Sequence, residues 1–175
     1  MTEKIPINGI KLSGRLVAVR VRRQSQPPTA ASVLQQLCRL FAHHHINIVY
    51  LTTGGLTDEG ADLCCIDAED LAGAEALVGR QADLKTLVCF GEAVGLITFY
   101  PHRASLKLLA SALRILSEGA ISIYGLASSL SALTFVVDFA DLDRAAGLLS
   151  QNFQLPGNPA PFRAEFRVRQ AQRSS

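Results

Sequence analysis

Gly119-Ala-Ile-Ser-Ile-Tyr-Gly-Leu126, a serine-rich turn, Leu133-Thr-Phe-Val-Val-Asp138 and Asp141-Leu-Asp-Arg-Ala-Ala-Gly-Leu-Leu149 read as strand, hairpin, strand and helix. The same order occurs earlier. Ile46-Asn-Ile-Val-Tyr-Leu51 is followed by Leu63-Cys-Cys-Ile-Asp67, then by Asp70, Leu71, Leu77 and Val78. An Asp-x-x-Asp-Leu step closes both passages, through Asp67, Asp70 and Leu71, then Asp138, Asp141 and Leu142. The chain is one unit written twice.

Working outward, each copy starts with a strand and a helix. Val17, Val19 and Val21 alternate with Ala18, Arg20 and Arg22, which is a half-buried strand. After the loop Gln24–Thr29, Val33, Leu34, Leu37, Leu40 and Phe41 recur at helical spacing and end near His43-His44-His45. In the second copy Val94–Tyr100 is the strand and Pro101-His-Arg103 the loop. Leu106, Leu109, Leu113 and Leu116 form the expected helix stripe, flanked by Leu108, Ala112 and Ile115. Ala68–Gly79 and Asp141–Asn152 are the second helices, and Thr86–Phe90 is a further strand. Each unit is thus βαββαβ, and the fold class is α+β: two ferredoxin-like units, each an antiparallel four-stranded sheet with its helices on one face. The expected division is an N-terminal arm over 1–13, units over 14–91 and 92–170, and a tail over 171–175. Two candidates compete to complete the second sheet, the Ile7–Leu12 segment and the alternating Phe162–Val168 segment.

Composition narrows the function. At 175 residues the chain suits one compact domain or two small ones, and 49% hydrophobic and 18% charged residues with a net charge of +2 are ordinary for a folded protein. It has no basic excess to hold nucleic acid or an acidic membrane. No apolar run reaches membrane-span length, and the first residues carry no signal-peptide pattern, so a cytoplasmic location is expected. Cys64 and Cys65 are adjacent in a strand and point to opposite faces. With Cys38 and Cys89 they make no metal-ligand spacing. Three consecutive histidines at a helix end cannot all face one ion. Neither a phosphate-cradling glycine loop nor a nucleophile–base arrangement is present, and the four motif aspartates suit helix starts better than acid–base work. The expectation is a non-enzyme with no cofactor, no metal and no catalytic residue.

Ala42-His-His-His-Ile-Asn-Ile-Val-Tyr-Leu-Thr-Thr53, Gly119-Ala-Ile-Ser-Ile-Tyr-Gly-Leu-Ala-Ser-Ser129, Leu133–Asp138 and the Asp-x-x-Asp-Leu steps together resemble ACT domains. The resemblance is closest to the tandem pair at the regulatory end of aspartokinases, without a kinase domain, and covers about Ile10 to Leu155. It implies a small ligand, of the amino-acid type, held at ACT–ACT interfaces between the loop after a first strand and a second strand. By position it points to Gln24, Ser25, Pro28, Asn47, Thr52 and Thr53 in the first copy, and to His102, Arg103, Ser122, Ser128 and Ser129 in the second. The family's acid two places after Asn47 is Val49 here, and neither loop has the family's glycine. The implied partners are a small-molecule effector, a second copy in a homodimer and a metabolic enzyme, with no nucleic acid and no membrane. The alternative is a ligand-free structural or interaction module associating with a metabolic enzyme or with itself. RNA-binding domains share the βαββαβ order, but neither unit has their aromatic strand signature.

Overall fold

The computed structural model describes residues 4–22, 30–54, 61–100, 105–155 and 162–163, with the backbone alone for 30–32 and 162–163. In chain order the elements are β1 (Ile5–Pro6), β2 (Gly9–Leu12), β3 (Leu16–Val21), α1 (Ala30–His43), β4 (Ile48–Thr52), β5 (Asp62–Asp67), α2 (Leu71–Gly79) and α3 (Ala82–Lys85). There follow β6 (Val88–Tyr100), α4 (Leu106–Glu118), β7 (Ile123–Ser128), β8 (Leu133–Asp138), α5 (Leu142–Asn152), β9 (Phe153–Gln154) and β10 (Phe162–Arg163). The described residues divide into two units at Arg15/Leu16 and Glu92/Ala93: those within 16–92 form the first, and those within 4–15 and 93–163 form the second.

In the first unit the strand order is β4-β5-β3-β6, and both the β3–β5 and β4–β5 pairs are antiparallel. β-Branched and thiol side chains on one sheet face, Val17, Val19, Cys64 and Ile66, pack under Val33, Leu37 and Phe41 of α1 and Ala74 and Val78 of α2. Burial of each large apolar side chain there is worth about 1.5–3 kcal/mol. Leu16, Ala18, Tyr50, Leu63 and Cys65 alternate with that set and are also buried, so β3 and β5 are covered on both faces, while Val49 and Leu51 of β4 stay exposed.

In the second unit β7-β8-β6-β2 repeats that order, with all three pairs antiparallel. The fourth strand is β2, from the beginning of the chain, its Gly9–Leu12 lying against Ile97–Tyr100. β10 then pairs parallel to β2 on its outer edge, and β1 pairs parallel to β9. Both sequence candidates for the sheet edge are therefore used, one outside the other; the rest of the Phe162–Val168 candidate lies outside the described residues. The core gathers Ile10, Leu12, Ile97, Phe99, Phe135 and Leu149 with their neighbours, and Phe99 meets Phe135 and Phe153 edge-on at centroid distances of 6.0 and 5.5 Å.

Three expectations change. The strands expected at Thr86–Phe90 and Val94–Tyr100 are one continuous strand, because Gly91-Glu92-Ala93 stays extended instead of turning. The second helices begin with 3-10 turns, Ala68–Asp70 and Phe139–Asp141, and the short α3 follows α2. In α4 the buried face is Leu108, Ala112, Ile115 and Leu116, whereas Leu106 is 77% and Leu113 37% exposed. That helix is apolar around more than half its circumference, so spacing alone does not choose the inward face. Small Ala112 does, by letting the helix approach the sheet.

Candidate functional site

The junction from first helix to second strand is built twice with the same bonds. After α1 the Ile46 N–H reaches the Phe41 carbonyl (2.9 Å) and the His45 N–H the Ala42 carbonyl (3.3 Å). After α4 the Ile121 N–H reaches Leu116 (2.9 Å) and the Ala120 N–H Ser117 (2.9 Å). This is the Schellman closure, which needs a left-handed residue after the helix. His45 (φ 58°) and Ala120 (φ 51°) supply it without glycine. Asn47 and Ser122 follow at equivalent places, half-buried and exposed respectively, and each is followed by a strand with a bulge, at Ile48/Tyr50 and Ile123/Gly125.

Thr52 and Thr53 lie at the far end of β4, and Ser128 and Ser129 at the far end of β7. The six residues of β7, at about 3.3 Å each, put roughly 20 Å between Ser122 and Ser128. The structure therefore does not gather Ser122, Ser128 and Ser129 on one pocket wall, nor Asn47 with Thr52. What it gathers is one sheet end per unit. In the first, Val21 pairs with Asp62 and Thr52 with Leu63, so the exit of β3 emerges beside Thr52 and Thr53. In the second, Phe99 and Ser128 both pair with Leu133, so the exit of β6 emerges beside Ser128 and Ser129. Gln24, Ser25, Pro28, His102 and Arg103 lie outside the described residues.

Asp62 was missed as a site residue because a strand-opening aspartate gives no sequence signal beyond a turn. It is only 2% exposed, and its Oδ1 accepts the Gly54 N–H at 3.1 Å, where Gly54 is left-handed at φ 78°. Its carboxylate pins the end of β4. In the second unit Ser129 does the corresponding work within the turn: its Oγ accepts from the Ala132 N–H (3.0 Å) and donates to the Ala132 carbonyl (3.1 Å). Tyr50 has a phenol with no hydrogen-bond partner among the described residues, although the Thr52 hydroxyl approaches it. Burial raises its pKa, Thr52 partly offsets that rise, and Cys65 beside it adds to it.

The motif aspartates split by position. Asp67 and Asp138 accept from the N–H groups of Glu69 (3.1 Å) and Ala140 (3.0 Å), so each caps a 3-10 turn. Asp70 and Asp141 make no side-chain cap bond. Asp141 instead takes the Arg144 guanidinium, from Nη2 at 2.8 Å and Nε at 3.1 Å, and the same guanidinium donates through Nη1 to the Gly119 carbonyl. Asp70 is pushed above the usual carboxylate range by burial and by Asp67 and Glu69.

Burial pushes Cys64 and Cys65 up to about 12, with Cys65 itself adding to the rise at Cys64, and both are inert as nucleophiles at neutral pH. Among the described residues no group of three or more His, Cys, Asp or Glu is placed to hold a metal. None of the described helices is long and apolar enough to cross a membrane.

No protein-family model and no curated protein sequence matches the chain. Solved structures do match its fold. The regulatory subunit of aspartate kinase from Thermus flavus superposes with a TM-score of 0.69 at 11% identity, over 85% of this chain and 99% of that one. The aspartate kinase of Clostridium acetobutylicum gives 0.69 at 10% identity, over 87% of this chain and 36% of that one. Aspartokinase III of E. coli, in complex with lysine and aspartate in its T-state, gives 0.63 at 16%, over 88% and 35%. The chain thus has the fold of a regulatory ACT pair, spanning nearly all of a regulatory subunit and about a third of the longer kinases. The family resemblance of the sequence and the likeness of the structure agree.

Proposed function

We infer that the chain is a regulatory ACT pair that binds a small molecule of the amino-acid class and transmits its presence through altered packing. The single observation carrying this reading is the match in fold to a whole regulatory subunit, over 99% of that chain. The E. coli relative in complex with lysine and aspartate supports the ligand class. The sheet ends at Thr52–Thr53 and Ser128–Ser129 are the binding places we favour, each beside the exit of its unit's first strand. Gln24, Ser25 and Pro28, and His102 and Arg103, belong to those exits by sequence. Asn47 and Ser122, at the opposite ends, would act only toward a neighbouring ACT unit, within a homodimer or a complex with a metabolic enzyme.

A ligand shifts such an assembly only by binding its two arrangements with different affinity. No residue is assigned a catalytic role and no cofactor is needed, and a cytoplasmic setting fits an effector of this class. One observation favours the alternative, a ligand-free interaction module: the Ser129 hydroxyl is already committed to Ala132.

A melting-temperature screen of the twenty amino acids and small carboxylates separates the readings. The sensor reading expects at least one compound to raise the melting temperature, and Thr52→Val to abolish that rise. Were every compound silent on a folded chain that still assembles with a partner, the module reading would stand instead.

A further inference from the structure

β4 carries a hydroxyl that the first unit buries and leaves unused. Tyr50 is 8% exposed, and its phenol has no hydrogen-bond partner among the described residues. A hydroxyl taken from water and left unpaired is a cost that phenylalanine would not carry. Tyr50 lies on the sheet face away from α1 and α2, paired with Cys65, which in turn pairs with Ala18. Both are buried, and Cys65, pushed up to about 12, is a neutral thiol and a weak acceptor. The groups that shift the phenol include no carboxylate. Thr52, half-buried and on the same face two residues nearer the end of β4, brings its hydroxyl up to the phenol. Thr53 and Gly54 beyond it are exposed. The phenol is thus aimed along β4 at the sheet end. Across Leu63 from Thr52, Arg20 adds positive charge to the same face. By bulge and register the matching places in the second unit are Gly125 and Ala127, so neither hydroxyl is repeated there.

We propose that the Tyr50 O–H, with the Thr52 hydroxyl beside it, holds the carboxylate of the effector at the sheet end of the first unit, a contact the second unit cannot repeat. A carboxylate is favoured over a neutral carbonyl because both hydroxyls can donate, an ionised acceptor makes the stronger bond, and Arg20 favours an anion on that face. This contact rests on the sensor reading of that sheet end and adds the group that recognises the ligand's acid.

The test is a titration of the full chain with each L-amino acid and with its primary amide, which lacks the carboxylate, read by melting temperature and tyrosine emission. With no tryptophan and three tyrosines in the chain, emission reports the phenols directly. The expected result is that at least one amino acid raises the melting temperature and quenches up to about a third of the emission, one tyrosine of three, while its amide does neither. In Tyr50→Phe the quenching should vanish and the titration midpoint weaken about tenfold or more, whereas Tyr124→Phe keeps both responses. Ligand-free Tyr50→Phe should melt no lower than wild type, because its hydroxyl gives up no bond. An unchanged midpoint and quenching in Tyr50→Phe would overturn the proposal and leave the sensor reading standing. So would an amide as effective as its acid, or a ligand-free Tyr50→Phe melting about 2 °C or more below wild type. Silence from every compound would overturn it together with the sensor reading.

Discussion

Ala120 and His45 show how a single backbone angle can be bought by its surroundings. A left-handed conformation costs a residue with a Cβ about 1–2 kcal/mol, yet both helices end that way. The closure bonds and the burial of the next residue, Ile46 or Ile121, hold them there. Ala120→Gly should remove the steric cost while adding about 0.5–1 kcal/mol of chain entropy to the unfolded state. The net expectation is a stabilisation of about 0.5–1 kcal/mol, read as a higher urea midpoint with an unchanged slope. A lower midpoint would mean that the alanine methyl group packs usefully.

At the scale of elements, the contact between β6 and α5 is set by a missing side chain. Gly95 lies in the second unit's part of β6, and a Cβ built on it would fall 2.7 Å from Leu142 Cδ2 and 2.9 Å from Cδ1. Leu142 is 1% exposed and has nowhere to retreat. Gly95→Ala should therefore cost about 1–3 kcal/mol by overpacking, and thermal unfolding would show it. Combining it with Leu142→Ala should recover part of the loss. Elements were also where sequence reading was strongest and weakest. The alternating valines of β3 and the paired aspartate steps were legible because pleat and helix periods differ. The face of α4 was not, since two stripes on it have helical spacing. The continuity of β6 was hidden by Gly91-Glu92-Ala93, and the left-handed turns after α1 and α4 were hidden because His45 and Ala120 are not glycine. The Arg144 clamp became visible only once the structure joined it to Gly119, distant in sequence.

For the whole molecule, the second unit depends on residues that precede the first. Ile7, Ile10 and Leu12 are 4%, 1% and 2% exposed and sit in the core of the second unit. Ile10→Ala should cost about 2–5 kcal/mol, a large part of the stability of a domain this size. Val49→Ala, at a side chain 51% exposed, should stay within about 0.5 kcal/mol. Similar melting losses for the two variants would show that β2 contributes little. The duplication and the fold class were readable from the chain alone. The position of β2 was not, because two extended segments at opposite ends of the sequence suited the same edge, and only the three-dimensional register shows that β2 takes it with β10 outside.

That register also sets an order of events. Gly9 and Tyr100 are partners in the β2–β6 pair, yet every residue of the first unit is synthesised between them. A nascent chain must carry Gly9–Leu12 unpaired, its apolar side chains in water, until Ile97–Tyr100 leaves the ribosome. The first unit closes on contacts within its own stretch, whereas the second must first gather distant ends, and such long-range closure slows folding. Residues made before the whole of the first unit are thus among the last to find their place.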